Sequence, residues 1–181
     1  MSNSISFIVT CQEQQPQLMR LLPQLLSMRL EGQHEVIVVD KEHDKDMQEW
    51  LEEMEVHYPT LSHTFCPASS RGIDIQRLAL TLGAKASTCE WLVILQASAE
   101  LPGEGWLQKL MAGLGNGSDL VVGLTDSKRK WNRFRLYLFR RRFSLFRPAS
   151  HIILCRRRSL LENKAFKLSK QQVIKLFKQQ Q

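Results

Sequence analysis

Short apolar runs alternate along the chain with longer stretches whose apolar residues lie three or four positions apart. The short runs are rich in Val, Ile and Leu and predict strands, because continuous apolar segments suit a sheet that is buried on both faces. The longer stretches have the spacing of one helix face. The predicted strands are residues 5–10, 36–39, 61–65, 91–95, 120–124 and 151–155.

Four helices are predicted between these strands, over residues 16–28, 47–56, 75–86 and 103–113. Asp74 is placed to cap the third helix. Pro23 is expected to kink the first helix or to split it into two pieces. The alternation of strands and helices predicts a single α/β domain with an open, mostly parallel sheet and helices on both faces.

The apolar run over residues 91–95 is the best candidate for a central strand, and it stops abruptly at Gln96. The small residues Ala97, Ser98 and Ala99 follow, and Glu100 is the first acid beyond them. In open α/β sheets, ligands bind just past the carboxyl ends of the strands. Residues 96–100 are therefore placed where a functional site is expected.

Composition limits the class of protein. A chain of 181 residues with a hydrophobic fraction of 43% is long enough for one domain with a real core. The four cysteines are far apart without a C-x-x-C pair, which favours reduced thiols over a disulfide framework or a zinc site. The first residues lack the pattern of a signal peptide, and no apolar run has the roughly 18 residues that span a bilayer. We therefore expect a cytoplasmic protein.

The net charge of +7 comes from one region. No acid occurs between Asp126 and Glu162, whereas this interval holds 12 of the 25 basic residues. Basic and aromatic residues alternate over residues 128–146, and their spacing predicts a helix. The predicted layout is a core over residues 1–126, a basic segment over 127–168 that completes the same domain, and a Lys/Gln-rich helix or tail over 169–181.

Three sequence blocks carry a family likeness: the opening strand I-S-F-I-V-T, the second strand V-I-V-V-D, and G-I-D-I-Q-R-L-A-L-T-L-G-A-K-A-S-T-C-E-W-L-V-I-L. Together they resemble the family 2 glycosyltransferases, which have the GT-A fold, and the last block resembles a bacterial subgroup of that family. The likeness covers roughly residues 4–165 and is weak after Asp126. It implies a Rossmann-like domain that binds a nucleotide-diphosphate sugar.

The resemblance also implies which residues contact the nucleotide. The residues implied to face the base and ribose are Thr10, Gln12, Glu13 and Asp40. Those implied to lie near the nucleotide or its pyrophosphate are Arg71, Gly72 and Arg77. Each has a structural alternative: Asp40 could start a turn, Arg77 could be a solvated helix charge, and Gly72 could serve only the turn.

The chain departs from the family at its metal site. The family places Asp-x-Asp just past the central strand, where two carboxylates hold Mg²⁺ or Mn²⁺ against the pyrophosphate. Here the matching residues are Gln96 and Ser98, and neither is anionic. Glu100 is the nearest acid and is offset from the motif. We therefore expect no metal and no other cofactor.

The catalytic base of the family is also absent. Inverting members use a late acid to take the proton from the acceptor hydroxyl, and such a base must be titratable and within reach. The only acid after Asp126 is Glu162, for which a solvated helix charge is the alternative. Both departures indicate a degenerate transferase, a pseudoenzyme that still binds a nucleotide or nucleotide sugar or acts with an active partner transferase. An active, metal-independent transferase that uses Glu100 and arginines remains an alternative.

The basic segment over residues 128–158, with Arg140, Arg141 and Arg142 as its densest run, allows several interpretations. It could be a solvated cationic helix whose aromatic residues are core. It could contact an anionic membrane face or a lipid-linked acceptor, which would make the protein peripheral to the inner membrane face. Its arginines could instead clamp the substrate phosphates, as the family likeness suggests. Nucleic-acid binding is the least favoured alternative.

Overall fold

The computed structural model describes residues 4–30, 32–42, 44–67, 74–112, 120–124, 135–136 and 151–162. Strands and helices alternate through most of this part of the chain. The strands are β1 (Ile5–Cys11), β2 (His34–Asp40), β3 (Leu61–Phe65), β4 (Trp91–Gln96), β5 (Leu120–Leu124), β6 (Arg135–Leu136) and β7 (His151–Arg156). The helices are α1 (Gln15–Leu26), α2 (Lys45–His57), α3 (Ile75–Ala86), α4 (Trp106–Ala112) and α5 (Arg157–Glu162).

The described strands form one sheet in the order β3-β2-β1-β4-β7-β5-β6. The first four are parallel neighbours. β7 lies antiparallel between β4 and β5, so β5 runs in the same direction as β1 to β4. The predicted single α/β domain with a mostly parallel sheet is confirmed.

Helices cover both faces of the sheet, as predicted. On one face α1, α2 and α4 pack against β1 side chains such as Phe7 and Val9. On the other face α3 packs against Ile8 and Ile37. Every residue of β1 is buried, so this strand can present polar groups to a ligand only at its ends.

A proline inside α1 and a glycine inside α3 are both tolerated, although each residue type disfavours a helix interior. The helix α1 continues through Pro23 to Leu26 and is not split, although Pro23 has no N–H to donate to the preceding turn. In α3, Gly83 allows a close approach to the sheet, since a Cβ there would lie 2.6 Å from Cγ2 of Ile8. The absence of a side chain at Gly83 therefore allows α3 to lie this close to β1.

The predicted helix over residues 128–146 is wrong at Arg135 and Leu136. These two residues form β6 and pair antiparallel with Leu124 and Gly123. Pairing with β5 decides their conformation, and a pattern within one segment does not reveal such a partner. The rest of the basic segment before β7 and the terminal helix over residues 169–181 lie outside the described residues.

In the part of the chain that the structure describes, no helix combines the length and the apolar character that crossing a membrane requires.

A carboxylate at the start of β2 fastens the amino edge of the sheet. Glu35 Oε1 accepts hydrogen bonds from Ser6 Oγ at 2.6 Å and from the backbone N–H of Thr88 at 2.6 Å and of Cys89 at 3.3 Å. Its Oε2 accepts one from Thr88 Oγ1 at 3.1 Å. Burial alone would raise the pKa of Glu35, but these hydrogen bonds outweigh it and lower the pKa below its ordinary value. The ionised side chain thus joins β1, β2 and the loop before β4.

We expect Glu35→Gln to lower the free energy of unfolding by about 1–2 kcal/mol near neutral pH, because hydrogen bonds to a charged acceptor are lost. The unfolded chain binds more protons as the pH falls below the ordinary glutamate pKa of 4.5, so the contribution of Glu35 is present above that pH. It is lost as the pH falls through the lowered pKa of the folded state. Urea unfolding of parent and variant at neutral and acid pH measures this.

The matched control is Glu53→Gln on the exposed side of α2, which should change stability little at either pH. If the difference between Glu35→Gln and the parent is the same at acid and neutral pH, the carboxylate of Glu35 is not the stabilising group.

Candidate functional site

The carboxyl edge of the parallel strands brings several predicted site residues together. The register places Thr10 beside Gln96, and Cys11 beside Asp40. The ladder continues past the strands, because Ala97 donates its N–H to Thr10 O at 2.9 Å and Lys41 donates to Cys11 O at 3.1 Å. Thr10, Asp40 and Gln96 therefore lie near one another at the carboxyl ends of three adjacent strands.

Thr10 contributes to this edge mainly through its backbone. Its side chain is 1% exposed, and its Oγ1 donates a long hydrogen bond of 3.4 Å to the carbonyl of Leu95. The hydroxyl is thus turned toward β4.

The loops that follow β1 and β2 are joined by a side-chain contact. Gln12 Nε2 donates to Glu42 Oε1 at 3.1 Å. Glu13, the next residue, has a φ of 49°, in the left-handed region that is uncommon for residues other than glycine. Such a conformation costs of the order of 1–2 kcal/mol, and here it turns the chain from β1 into α1.

Asp40 supports the turn that follows β2. It is 5% exposed. Its Oδ1 accepts the backbone N–H of Glu42 at 3.0 Å, and its Oδ2 accepts that of Asp44 at 2.7 Å. Asp44 in turn caps α2 by accepting the N–H of Asp46 and of Met47. The geometry supports the turn alternative for Asp40, because both carboxylate oxygens already bind the backbone.

The residues that the resemblance matches to the Asp-x-Asp motif have neutral side chains. Gln96 ends β4 and is half-buried, Ala97 is buried, and Ser98 is half-buried in a turn that is closed by the N–H of Ala99 donating to Gln96 O at 2.8 Å. Glu100 lies beyond this turn and is exposed. An amide and a hydroxyl do not fit Mg²⁺ or Mn²⁺, which prefer several charged oxygen ligands.

No group of three or more His, Cys, Asp and Glu side chains suited to a metal occurs within the described ranges.

Two buried thiols lie at the same edge and stay protonated. Burial, reinforced by the charge of Asp40, raises the pKa of Cys11 to about 12, and its Sγ contacts Met47 Sδ at 3.7 Å. Burial and Asp40 also raise the pKa of Cys66. A thiol becomes a nucleophile or metal ligand as the thiolate, so these cysteines are structural at neutral pH.

Sequence reasoning missed Lys41, which directly follows β2. Its Nζ donates to Gln76 Oε1 at 3.0 Å, which links the end of β2 to the first turn of α3. Burial lowers the pKa of Lys41. Arg77, the next residue in α3, is half-buried, and its backbone N–H donates to the cap residue Asp74 at 3.2 Å. A polar residue just past an apolar strand was the only sequence signal for Lys41.

The remaining predicted residues are not brought to this edge by the described structure. Arg71, Gly72, Arg140, Arg141 and Arg142 lie outside the described residues. Glu162 ends α5, and α5 begins at the opposite, amino edge of the sheet. There Arg157 Nε donates to the carbonyl of Ala84 at 2.9 Å and fastens the start of α5 to the end of α3.

Comparisons with known proteins reveal similarity in structure. No protein-family model matches the chain, and no curated protein matches it. The mannosyltransferase PcManGT from Pyrobaculum calidifontis, in complex with GDP-Man and Mn²⁺, is 20% identical over 65% of this chain and 34% of its own, with a TM-score of 0.51. S. aureus TarS 1-349 is 17% identical over 98% of this chain and 55% of its own, with a TM-score of 0.62.

TarS 1-349 has also been solved in complex with UDP, and that structure is 19% identical over 66% of this chain and 34% of its own, with a TM-score of 0.51. The 4-diphosphocytidyl-2C-methyl-D-erythritolsynthase from Anaerococcus prevotii DSM 20548 is 14% identical over 96% of this chain and 84% of its own, with a TM-score of 0.58.

The chain spans between about a third and just over half of the length of the mannosyltransferase and TarS structures. At these identities the likeness shows the fold alone. The predicted GT-A-like fold is confirmed at this level.

We expect Asp40→Asn to lower the free energy of unfolding by about 1–3 kcal/mol without any ligand, because an amide cannot accept both backbone N–H groups. Urea unfolding of the free protein measures this. The matched control is Asp46→Asn, on the exposed first turn of α2, which should cost no more than about 0.5 kcal/mol. Unchanged stability of Asp40→Asn would mean that the fold does not need this carboxylate and that it is available to a ligand.

Proposed function

We propose that the chain is a family 2 glycosyltransferase-like domain that binds a nucleotide or nucleotide sugar at the carboxyl edge of β1, β2 and β4, without a metal-dependent transfer centre. The observation that carries this proposal is the edge itself. Three adjacent parallel strands carry Thr10, Asp40 and Gln96 at their carboxyl ends. The resemblance matches Gln96 and Ser98 to the two carboxylates of the family.

The strand order supports the location of the ligand. In open α/β sheets the ligand crevice forms past the carboxyl ends of the strands, at the point where the strand order reverses. Here β2 and β3 follow on one side of β1, and β4 is then added on the other side of β1, so the order reverses between β1 and β4. The mannosyltransferase and TarS structures of similar fold hold GDP-Man and UDP respectively.

The donor set argues against metal-dependent transfer. A divalent cation offsets the charge that develops on the departing nucleoside diphosphate, and this contributes several kcal/mol to transition-state stabilisation. Neutral Gln96 and Ser98 cannot hold such an ion firmly, and Glu100 is exposed beyond the turn. The late acid Glu162 ends α5, which begins at the opposite edge of the sheet, so we favour a binding domain that acts with an active partner transferase over an independent, metal-free enzyme.

The direct test is thermal unfolding with UDP, GDP, CDP and their sugar conjugates, with and without Mn²⁺. A ligand that binds only the folded state stabilises it by about 2.7 kcal/mol at a hundredfold excess over Kd. For a chain of this size that corresponds to a rise in Tm on the order of 5–10 °C. We expect this rise for at least one nucleotide, and the same rise when Mn²⁺ is replaced by EDTA.

If no nucleotide changes Tm, the nucleotide-binding proposal is wrong. If the rise requires Mn²⁺, binding stands and the metal-free part of the proposal is wrong. A preference for CDP over UDP and GDP would favour a ligand related to that of the diphosphocytidyl synthase.

Restoring the carboxylates tests whether the end of β4 faces the ligand. We expect the double variant Gln96→Asp with Ser98→Asp to gain Mn²⁺-dependent stabilisation by the nucleotide that the parent binds, because two carboxylates would then flank Ala97. The matched control is Gln96→Asn with Ser98→Asn, which changes shape without adding charge and should gain nothing. Calorimetric titration with Mn²⁺ in the presence of the nucleotide measures this. If Mn²⁺ does not change nucleotide binding by the double Asp variant, the ligand does not lie at the end of β4.

A further inference from the structure

Lys41 is a half-buried cation at the ligand edge of the sheet. It follows directly after β2, and its backbone N–H extends the ladder to β1 by donating to Cys11 O at 3.1 Å. Its ammonium lies toward α3, where it donates to Gln76 Oε1 at 3.0 Å. The partner is a neutral amide, so it orients the ammonium without neutralising it.

The described carboxylates near Lys41 are occupied elsewhere. Asp40 accepts the backbone N–H groups of Glu42 and Asp44, and Glu42 accepts the amide of Gln12. In the part of the chain that the structure describes, the ion pairs within 4.0 Å are His63 with Glu55 and Arg156 with Glu90, and Lys41 belongs to neither.

The other titratable groups around Lys41 do not supply a counter-ion at neutral pH. The charge of Glu42 acts on Lys41 from beyond ion-pair distance. The thiols of Cys11 and Cys66 have raised pKa values and remain neutral. Arg77, next to Gln76, adds a second positive charge in the same turn of α3. A partly desolvated ammonium in such surroundings favours an anionic partner.

We propose that Lys41 is a phosphate-binding residue, which holds the diphosphate of the ligand from the side of β2 and α3. The proposal rests on the nucleotide binding proposed above, because the diphosphate is the anionic part of a nucleotide sugar. A hydrogen bond between an ammonium and a phosphate oxygen is charge-assisted and stronger than one to a neutral acceptor. Lys41 would therefore exchange or share its contact with Gln76 when the ligand binds.

Lys41 would hold the diphosphate from the side opposite to that of the family's metal motif. β2 and β4 are both neighbours of β1, and adjacent strands lie about 4.8 Å apart, so Lys41 starts roughly 10 Å from the end of β4. The family's metal motif would hold the diphosphate at β4, whereas Lys41 holds it from the opposite side of β1. Lys41 thus supplies a positive charge on the β2 side of the diphosphate, whereas the β4 side has neutral residues in place of metal-binding carboxylates.

The first experiment compares Lys41→Met with Lys85→Met by isothermal titration. Lys85 is an exposed lysine near the other end of α3, at the amino edge, and serves as the matched control. The titrants are the nucleoside diphosphate that stabilises the parent, the corresponding nucleoside and inorganic pyrophosphate. We expect Lys41→Met to weaken the binding of the nucleoside diphosphate and of pyrophosphate by about 10- to 100-fold, and to leave the binding of the nucleoside unchanged. Lys85→Met should match the parent with all three.

The second experiment uses Gln76→Glu, which keeps Lys41 and gives it an internal counter-ion. We expect this variant to weaken pyrophosphate and nucleoside diphosphate binding, while its Tm without ligand equals or exceeds that of the parent. A lysine with only a structural role would not show weaker anion binding in a protein of unchanged or higher stability. This variant also decides the matter if Lys41→Met does not fold.

The outcomes separate the two proposals. If the parent binds a nucleotide and both variants bind it and pyrophosphate as the parent does, Lys41 is not the phosphate-binding residue, while nucleotide binding stands. If the parent binds no nucleotide but binds pyrophosphate through Lys41, the anion site stands and the proposed function is wrong. Failure of the parent to bind pyrophosphate or any nucleoside diphosphate overturns the assignment of Lys41.

Discussion

The burial of β1 on both faces is the constraint on which the rest of the structure depends. All seven of its residues are buried, with Phe7 and Val9 against one helical layer and Ile8 against the other. The parallel neighbours of β1 are covered by the same helices, and a sheet covered on both faces leaves polar groups for a ligand at the ends of its strands. The carboxyl edge therefore carries the candidate site and the amino edge carries the Glu35 network, at opposite ends of the same strands.

The described residues of the candidate site combine a backbone-bound carboxylate, a buried thiol, two neutral polar side chains and one ammonium. The carboxylate of Asp40 is held by backbone N–H groups, and the thiol of Cys11 is kept protonated by burial. Gln96 and Ser98 can donate and accept hydrogen bonds but carry no charge. Lys41 supplies a positive charge from the end of β2, on the other side of β1. Such a set offers hydrogen bonds and a positive charge to an anionic ligand, which is what the proposed nucleotide binding requires.

The sequence predicts those elements whose signal is local. The bounds of β3 and β5 agree with the predicted strands, and Asp74 caps α3 as expected, because short apolar runs and cap residues act within a few positions. The strand at Arg135 forms because it pairs with β5. The alternation of basic and aromatic residues gives no information about that partner, so a helix was predicted there. The turn role of Asp40 was an open alternative. Lys41 was missed because its direction is set by Gln76, on a helix that begins more than thirty residues later.

The position of β7 has a consequence for the order in which the chain assembles. β5 has β7 and β6 as its neighbours in the described sheet, so residues 120–124 cannot join the first four strands until residues 151–156 are available. During synthesis from the amino terminus, the parallel half from β1 to β4 can form early, with one side of β4 still unpaired. An exposed apolar strand edge is a template for wrong pairing. β7 therefore covers the open side of β4 and also joins β5 to the sheet. The nascent chain is most exposed to wrong strand pairing in the interval before β7 emerges.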